Sequence, residues 1–188
     1  SVVKELMDNA LDSGATSIKL IIKEAGKTLI QVNDNGCGMN PIDARMCFER
    51  HATSKIRSAD DLFKIQTMGF RGEALASIAA VSQVELKTKR AEDELGTKII
   101  IADSKLKSQE PCSSSNGTQI IVQHLFYSVP ARKKFLKTDT VESRHIHDEF
   151  IQQALANPHI QYSYFNNDQE VYNLSSGSLK QRVVSIFG

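Results

Sequence analysis

In LIQVNDNGCGMNP, residues 29–41, strand alternation puts Ile30 and Val32 on one face, and the next position on that face is Asp34. A carboxylate that continues an apolar face costs several kcal/mol unless donors meet it. Any fold that buries this strand must therefore bring donors to its end. Gly36 and Gly38 follow at once and let backbone approach a flat ligand closely. Two readings fit these residues: a tight turn after a strand, and the polar floor of a pocket. The same counting on GTQIIVQ sets Thr118 on a face with Ile120 and Val122, so a second polar group can reach the same place.

The surrounding pattern fixes the class of fold. Ile18, Leu20 and Ile22 alternate ahead of Ile30 and Val32, giving a hairpin with its turn at residues 25–27. Asn40 and Pro41 supply an N-cap and a first helical residue. EALASIAAV reads as a helix of small residues, followed by strands near 82–90, 96–102 and 117–124, with a surface loop expected over residues 103–116. A longer helix is expected from about 139 to 156, then a hairpin turning at 166–168. Residues 51–72 are polar and glycine-bounded, with at most a short helix at 61–64; a connection this long inside a domain is commonly functional. Helices interleaved with hairpins predict an α/β two-layer sandwich with a mixed, mostly antiparallel sheet covered by helices. A doubly wound parallel sheet fits less well. One domain is expected over residues 1–177, with 178–188 opening the next.

The first helix is amphipathic. At about 100° per residue, Val3, Leu6, Met7, Ala10 and Leu11 share a broad apolar arc, while Glu5, Asn9 and Asp12 project opposite with Asp8 beside them. Gly14 is a natural stop. Like charges three, four and seven residues apart repel, so this face either meets solvent, eased by Lys4, or meets a ligand. The helix begins at Ser1 with no lead-in, which suggests a piece of a longer protein.

Composition narrows the function classes. A chain of 188 residues, 40% apolar and 24% charged, is ordinary for a globular protein. The net charge of +1 excludes a globally basic nucleic-acid binder and leaves room for a local patch. Cys37, Cys47 and Cys112 form no CxxC pair, which argues against a disulfide framework or a zinc site and favours a reducing compartment. No apolar run is long enough for a membrane span.

Other stretches suggest anion chemistry. MGFRGEALAS sets two glycines and an arginine before a helix start, whose amides and dipole favour an anion; a glycine-rich connector fits equally. RHATSK adds two hydroxyls and Lys55. ARKKFLK, residues 131–137, gathers four basic residues around Phe135 and Leu136, as a solvated run or a phosphate contact. GKT at 26–28 is no P-loop, because Ile21 stands where the earlier glycine belongs, and GCGMNP lacks the third glycine of a dinucleotide fingerprint. HIHDE, residues 145–149, resembles a metal-binding string but falls on a helix whose apolar stripe is Ile146, Phe150, Ala154 and Leu155.

Taken in order, Glu5 and Asn9, Asp34 with Gly36 and Gly38, the glycines at 69 and 72, and Thr118 resemble the GHKL ATPases, with their Bergerat fold. NALDSGAT, DNGCGM, RHATSKI, GFRGEALASI and PARKKFL are similar to the MutL branch of DNA mismatch-repair proteins. The resemblance implies an Mg²⁺-dependent ATPase with ATP as ligand. Glu5 would be the general base toward the γ-phosphate, and Asn9 would coordinate Mg²⁺. Asp34 would accept from the adenine amino group, supported by Thr118, with Gly36, Gly38 and Met39 close to the base. Gly69, Phe70, Arg71, Gly72, Glu73, Ala74 and Leu75 would wrap the phosphates, and Thr53, Ser54 and Lys55 belong to the adjoining lid. It also implies ATP-driven lid ordering and dimerisation, work with a MutS-type mismatch sensor and with DNA as a homodimer, no membrane, and a cytoplasmic, DNA-associated location. The family's N-terminal arm and its lysine-bearing second domain are not seen in this sequence, so weak activity alone is expected. Ser13 stands where many relatives have alanine. A non-catalytic, nucleotide-switched DNA-binding scaffold is the alternative reading.

Overall fold

The computed structural model describes residues 1–49 and 71–188. Eight strands form one sheet: β1 (Ser17–Lys23), β2 (Leu29–Asp34), β3 (Gln83–Lys89), β4 (Gly96–Ala102), β5 (Lys105–Cys112), β6 (Gly117–Gln123), β7 (Gln161–Asn166) and β8 (Gln169–Leu174). Their spatial order is β5-β4-β3-β6-β2-β1-β7-β8, and every neighbouring pair is antiparallel except β1 with β7. Helices α1 (Val2–Asp12), α3 (Arg71–Ala80) and α5 (Asp139–Ala156) share one apolar core with alternate residues of the inner strands. This is the expected two-layer sandwich, with a mixed, mostly antiparallel sheet covered by helices. Ile18, Leu20, Ile30, Val32, Leu86, Ile99, Ile120 and Val122 face Leu6, Met7 and Phe150 within it.

Local rules account for most boundaries. Ser1 caps α1, and Gly14, at φ +76°, follows Ser13 at its C-terminus in the left-handed conformation that glycine takes cheaply. Asn40 accepts from the Asp43 amide and Pro41 opens α2 (Pro41–Met46), as expected. The β1–β2 connection contains a short 3-10 turn at Glu24–Gly26. Asn167 and Asp168, both at positive φ, make the two-residue hairpin between β7 and β8. All three cysteines are free thiols.

The expected loop over residues 103–116 is mostly strand. Asp103 and Ser104, at φ +51° and +64°, make a second two-residue turn, and β5 runs back along β4 to Cys112. β5 lies on the sheet edge with nearly every residue exposed, so it carries no apolar alternation to read. Pro111 and its lysines suit an edge, where ladder donors are not needed and further pairing is discouraged. The expected short helix at residues 61–64 lies outside the described residues.

At the other end, a four-residue helix, α4 (Pro130–Lys133), precedes α5, and α6 (Leu179–Phe187) lies against α5 and β8. Besides Ile186, which packs against the core, α6 is anchored by one buried polar side chain. Arg182, 2% exposed, donates to the carbonyls of Ala154, Asn157, Pro158, Ile160 and Ser175 at 2.6–3.4 Å. Its guanidinium thereby meets carbonyls at the end of α5 and in the two segments flanking the β7–β8 hairpin. Removing one side of such a cluster leaves buried acceptors unsatisfied. Arg182→Ala should lower the unfolding free energy by about 3 kcal/mol, measured by urea denaturation; a loss below about 1 kcal/mol would contradict this account.

Candidate functional site

Asp34 ends β2 directly opposite Thr118, the second residue of β6. Three donors converge on Asp34 Oδ1: the Gly36 amide at 2.8 Å, the Thr118 amide at 3.3 Å and the Ser13 hydroxyl at 3.3 Å. Among the described residues Oδ2 accepts no hydrogen bond, and it is not one of the polar atoms sealed without a partner. Burial pushes the Asp34 carboxyl above its ordinary range, and the three hydrogen bonds only partly offset this. The carboxylate that alternation placed on the apolar face is thus half satisfied by the fold, with one oxygen able to accept a further donor.

Thr118 is itself backed by a residue that the sequence reading overlooked. Thr88, fully buried on β3 and paired with Thr118 in register, has its hydroxyl 2.9 Å from that of Thr118 and 3.1 Å from the Gly117 carbonyl. The Met39 amide donates to Thr88 Oγ1 at 2.9 Å. Counting by two from Val84 and Leu86 reaches Thr88, so the signal was present. The predicted Met39 is therefore at the site through its backbone.

The glycines fit against protein. A Cβ on Gly36 would stand 1.8 Å from Ser13 Oγ, and one on Gly38, at φ +68°, would stand 2.1 Å from the Lys89 carbonyl oxygen. The loop after β2 is clamped between the end of α1 and the end of β3. Ser13 closes it further, since its carbonyl accepts from the Cys37 amide at 3.0 Å. The single Ser13 hydroxyl proton is shared between Asp34 Oδ1 and the Ala10 carbonyl, which is nearer at 2.6 Å, so the hydroxyl links Asp34 to α1.

Glu5 and Asn9 lie on the same helix, N-terminal to Ser13, both half-buried. At about 1.5 Å per residue, α1 sets Asn9 about 6 Å and Glu5 about 12 Å along its axis from the residue that touches Asp34. The two form a line of functional groups leading away from the carboxylate. Asp8, without a role in the sequence reading, pairs with Lys4 at 2.7 Å and accepts from Gln153 on α5 at 3.1 Å.

Of the predicted phosphate loop, Arg71 and Gly72 open α3, Glu73 is exposed, and Leu75 belongs to the core, so only its backbone can reach a ligand. Thr53, Ser54, Lys55, Gly69 and Phe70 lie outside the described residues. Among the described residues no group of three or more His, Cys, Asp or Glu could hold a metal. The HIHDE string is a helix face, with Ile146 and Phe150 buried and His147 3.0 Å from the Tyr172 hydroxyl. Phe135 of the basic run is 84% exposed.

Residues 1–128 match the family of histidine kinase-, DNA gyrase B- and HSP90-like ATPases. The chain is 59% identical over 186 residues to the DNA mismatch repair protein MutL of Flavobacterium johnsoniae, covering 99% of the chain and 29% of that protein. It is 55% identical over 188 residues to MutL of Bacteroides fragilis, covering 100% and 30%. It thus spans about three tenths of the length of these curated relatives. Among solved structures, the Aquifex aeolicus MutL ATPase domain complexed with ADP superposes with a TM-score of 0.79 at 30% identity, covering 99% of this chain and 67% of that one. A family match over most of the chain, close relatives along its whole length and the shared fold agree: the chain belongs to the GHKL ATPases, in their MutL branch.

Proposed function

We propose that this chain binds ATP with Mg²⁺ and hydrolyses it, as the nucleotide-binding part of a MutL-type mismatch-repair protein. The observation that carries the reading is Asp34: a carboxylate at the buried end of a strand, tied through Oδ1, with Oδ2 left to accept beside the Thr118 hydroxyl. An adenine amino group is a donor suited to it. From that anchor the line through Asn9 to Glu5 runs in the direction a nucleotide's phosphates would take. Glu5 would orient and deprotonate the attacking water. Asn9 offers a neutral amide oxygen to a metal. Mg²⁺ commonly takes one or two protein ligands and fills its remaining positions with phosphate oxygens and water, so a site without a cluster of carboxylates suits a metal that arrives with the nucleotide. When bound, that ion supplies charge neutralisation at the transferring phosphoryl group.

The phosphates would meet the start of α3, where first-turn amides lack partners within the helix. Thr53, Ser54, Lys55, Gly69 and Phe70 complete the lid in this reading, which orders on ATP and closes a homodimer. DNA and a MutS-type mismatch sensor are the proposed partners, in a cytoplasmic setting. Mismatch repair is what the relatives' names state, and it comes to this chain on that similarity. The domain is proposed to extend over residues 1–177, with α6 leading onward. Turnover by these residues alone is proposed to be feeble.

Two substitutions separate binding from chemistry. Asp34→Asn keeps an oxygen for the Gly36 and Thr118 amides but turns a donor toward the adenine amino group. Nucleotide affinity should fall about 100-fold, the loss of a charge-assisted hydrogen bond plus a donor facing a donor, as read by equilibrium titration. The folded chain holds the Asp34 proton more tightly than the unfolded chain, whose value is near the ordinary 3.8. Stability from this group is therefore present at low pH and is lost as pH rises from the unfolded value through the raised folded value. Asp34→Asn should melt no lower than wild type at pH 7, with the two curves converging in acid; a clear drop in Tm at neutral pH would refute the burial account. Glu5→Ala in the intact protein carrying this chain should leave nucleotide affinity within about threefold and cut phosphate release by about 10²- to 10⁴-fold. Undiminished release would remove Glu5 as the base.

A further inference from the structure

Four side chains connect α6 to α1 through the interior. The Arg182 guanidinium lies over the Tyr162 ring, 5.5 Å from its centroid. The Tyr162 hydroxyl donates to Gln153 Oε1 at 3.1 Å, and Gln153 Nε2 donates to Asp8 Oδ1 at 3.1 Å. The other oxygen of Asp8 takes Lys4 at 2.7 Å. Tyr162 is completely buried and stacks edge-on against Phe150, so its hydroxyl has a fixed direction. Burial also pushes the phenol up, which keeps it protonated and donating. That donation decides which way the Gln153 amide faces: its oxygen is held toward Tyr162, and its NH₂ is left toward Asp8.

Asp8 lies on the arc of α1 that also carries Glu5 and Asn9. By helix geometry Glu5 is about 60° and Asn9 about 100° around the axis from it. Apolar packing of Leu6, Met7 and Ala10 holds α1 on the sheet, and directional contacts refine the angle at which it sits about its own axis. A hydrogen bond is directional. Asp8 to Gln153, with Ser1 to Glu149 at 2.6 Å one turn earlier on α5, therefore pins the rotation of α1 against α5. A turn of about 10° would move a carboxylate about 6 Å off the axis by about 1 Å, enough to spoil in-line attack.

We infer that Gln153 is a positioning residue for the hydrolytic reaction: held by Tyr162 and Arg182, it clamps Asp8 and so sets the angle at which α1 presents Glu5 and Asn9. The inference rests on the proposed roles of those two residues. It also gives α6 a route to the site, because the same arginine that docks α6 sits against the tyrosine that orients the clamp.

The test uses the intact protein carrying this chain, with phosphate release for kcat and ADP with Mg²⁺ for affinity. Gln153→Glu sets a carboxylate against Asp8 and should lower kcat at least about tenfold with affinity within about threefold, a split that general loss of structure would not give. Asp8→Asn added to Gln153→Glu restores a donor and an acceptor, with the amide now on α1, and should return kcat to within about threefold of wild type. Gln153→Met, which keeps packing volume and removes both hydrogen bonds, should lower kcat similarly with affinity again within about threefold, at a melting temperature lowered by the loss of the Tyr162 acceptor. Wild-type kcat in both single variants, or no recovery in the double variant, overturns the clamp while leaving the ATPase reading intact. Full turnover in a parallel Glu5→Ala control removes Glu5 as the base and the clamp with it, whereas absence of phosphate release from the wild-type protein overturns the ATPase reading itself.

Discussion

The site depends on one register. β2 and β6 pair so that Asp34 faces Thr118, and this puts a carboxylate, a backbone amide and a hydroxyl at the same end of the same apolar face. A slip of one residue would turn Asp34 to the other side of the sheet and expose Ile30 and Val32. The core and the site therefore enforce each other: the apolar members of the two strands choose the register, and the register delivers the polar pair. Gly117 completes the arrangement. At φ +116° its missing Cβ leaves room for the Asp34 carbonyl, where a side chain would clash at 2.1 Å.

α1 is held at both ends by different means. Near its C-terminus the Ser13 hydroxyl and carbonyl reach Asp34 and Cys37, so the helix is tied to the loop that it helps shape. Toward its N-terminus Ser1 and Asp8 meet α5. The crowded acidic face thus divides its labour. Asp8 turns to the neighbouring helix, and Glu5 and Asn9 stay half-buried on the same polar arc, where the proposed function uses them. Of the like charges that looked like a defect on an isolated helix, Asp8 is drawn off by Lys4 and Gln153 in the folded one.

Most of this could be read from periodicity. The alternation of Ile18 through Val32 gave the central hairpin, Asn40 with Pro41 gave a helix start, and the step from Val32 to Asp34 gave the anchor. Two features escaped for physical reasons. β5 lies on an exposed edge and has no buried face to impose a pattern. Thr88 continues the face of Val84 and Leu86 and was hidden by chemistry, since threonine is common on strands and nothing local marks its hydroxyl as shared. The Asp8 clamp was illegible in principle, because Gln153 is 145 residues away and only the parallel pairing of β1 with β7 brings its helix across.

The hydroxyl pair also bears on which base the pocket favours under the proposed reading. Thr88 Oγ1 accepts from the Met39 amide and has one proton to give. Given to the Gly117 carbonyl, it leaves Thr118 to donate back to Thr88 and to present only lone pairs outward. Given to Thr118, it frees the Thr118 proton to turn toward a ligand. Asp34 has no such choice while ionised: it only accepts. A base edge with an amino donor beside a ring-nitrogen acceptor, as in adenine, meets Asp34 as acceptor and Thr118 as donor. A guanine edge presents a carbonyl acceptor beside a ring N–H. In the pose described for adenine it would set its carbonyl against the carboxylate or require that carboxylate to carry a proton. Burial moves Asp34 in the direction of holding a proton, but the three donors on Oδ1 oppose it. Burial outweighs those donors, so under the proposed reading an amino donor on the remaining oxygen is what would favour the ionised form, and a base that carries one is the base preferred.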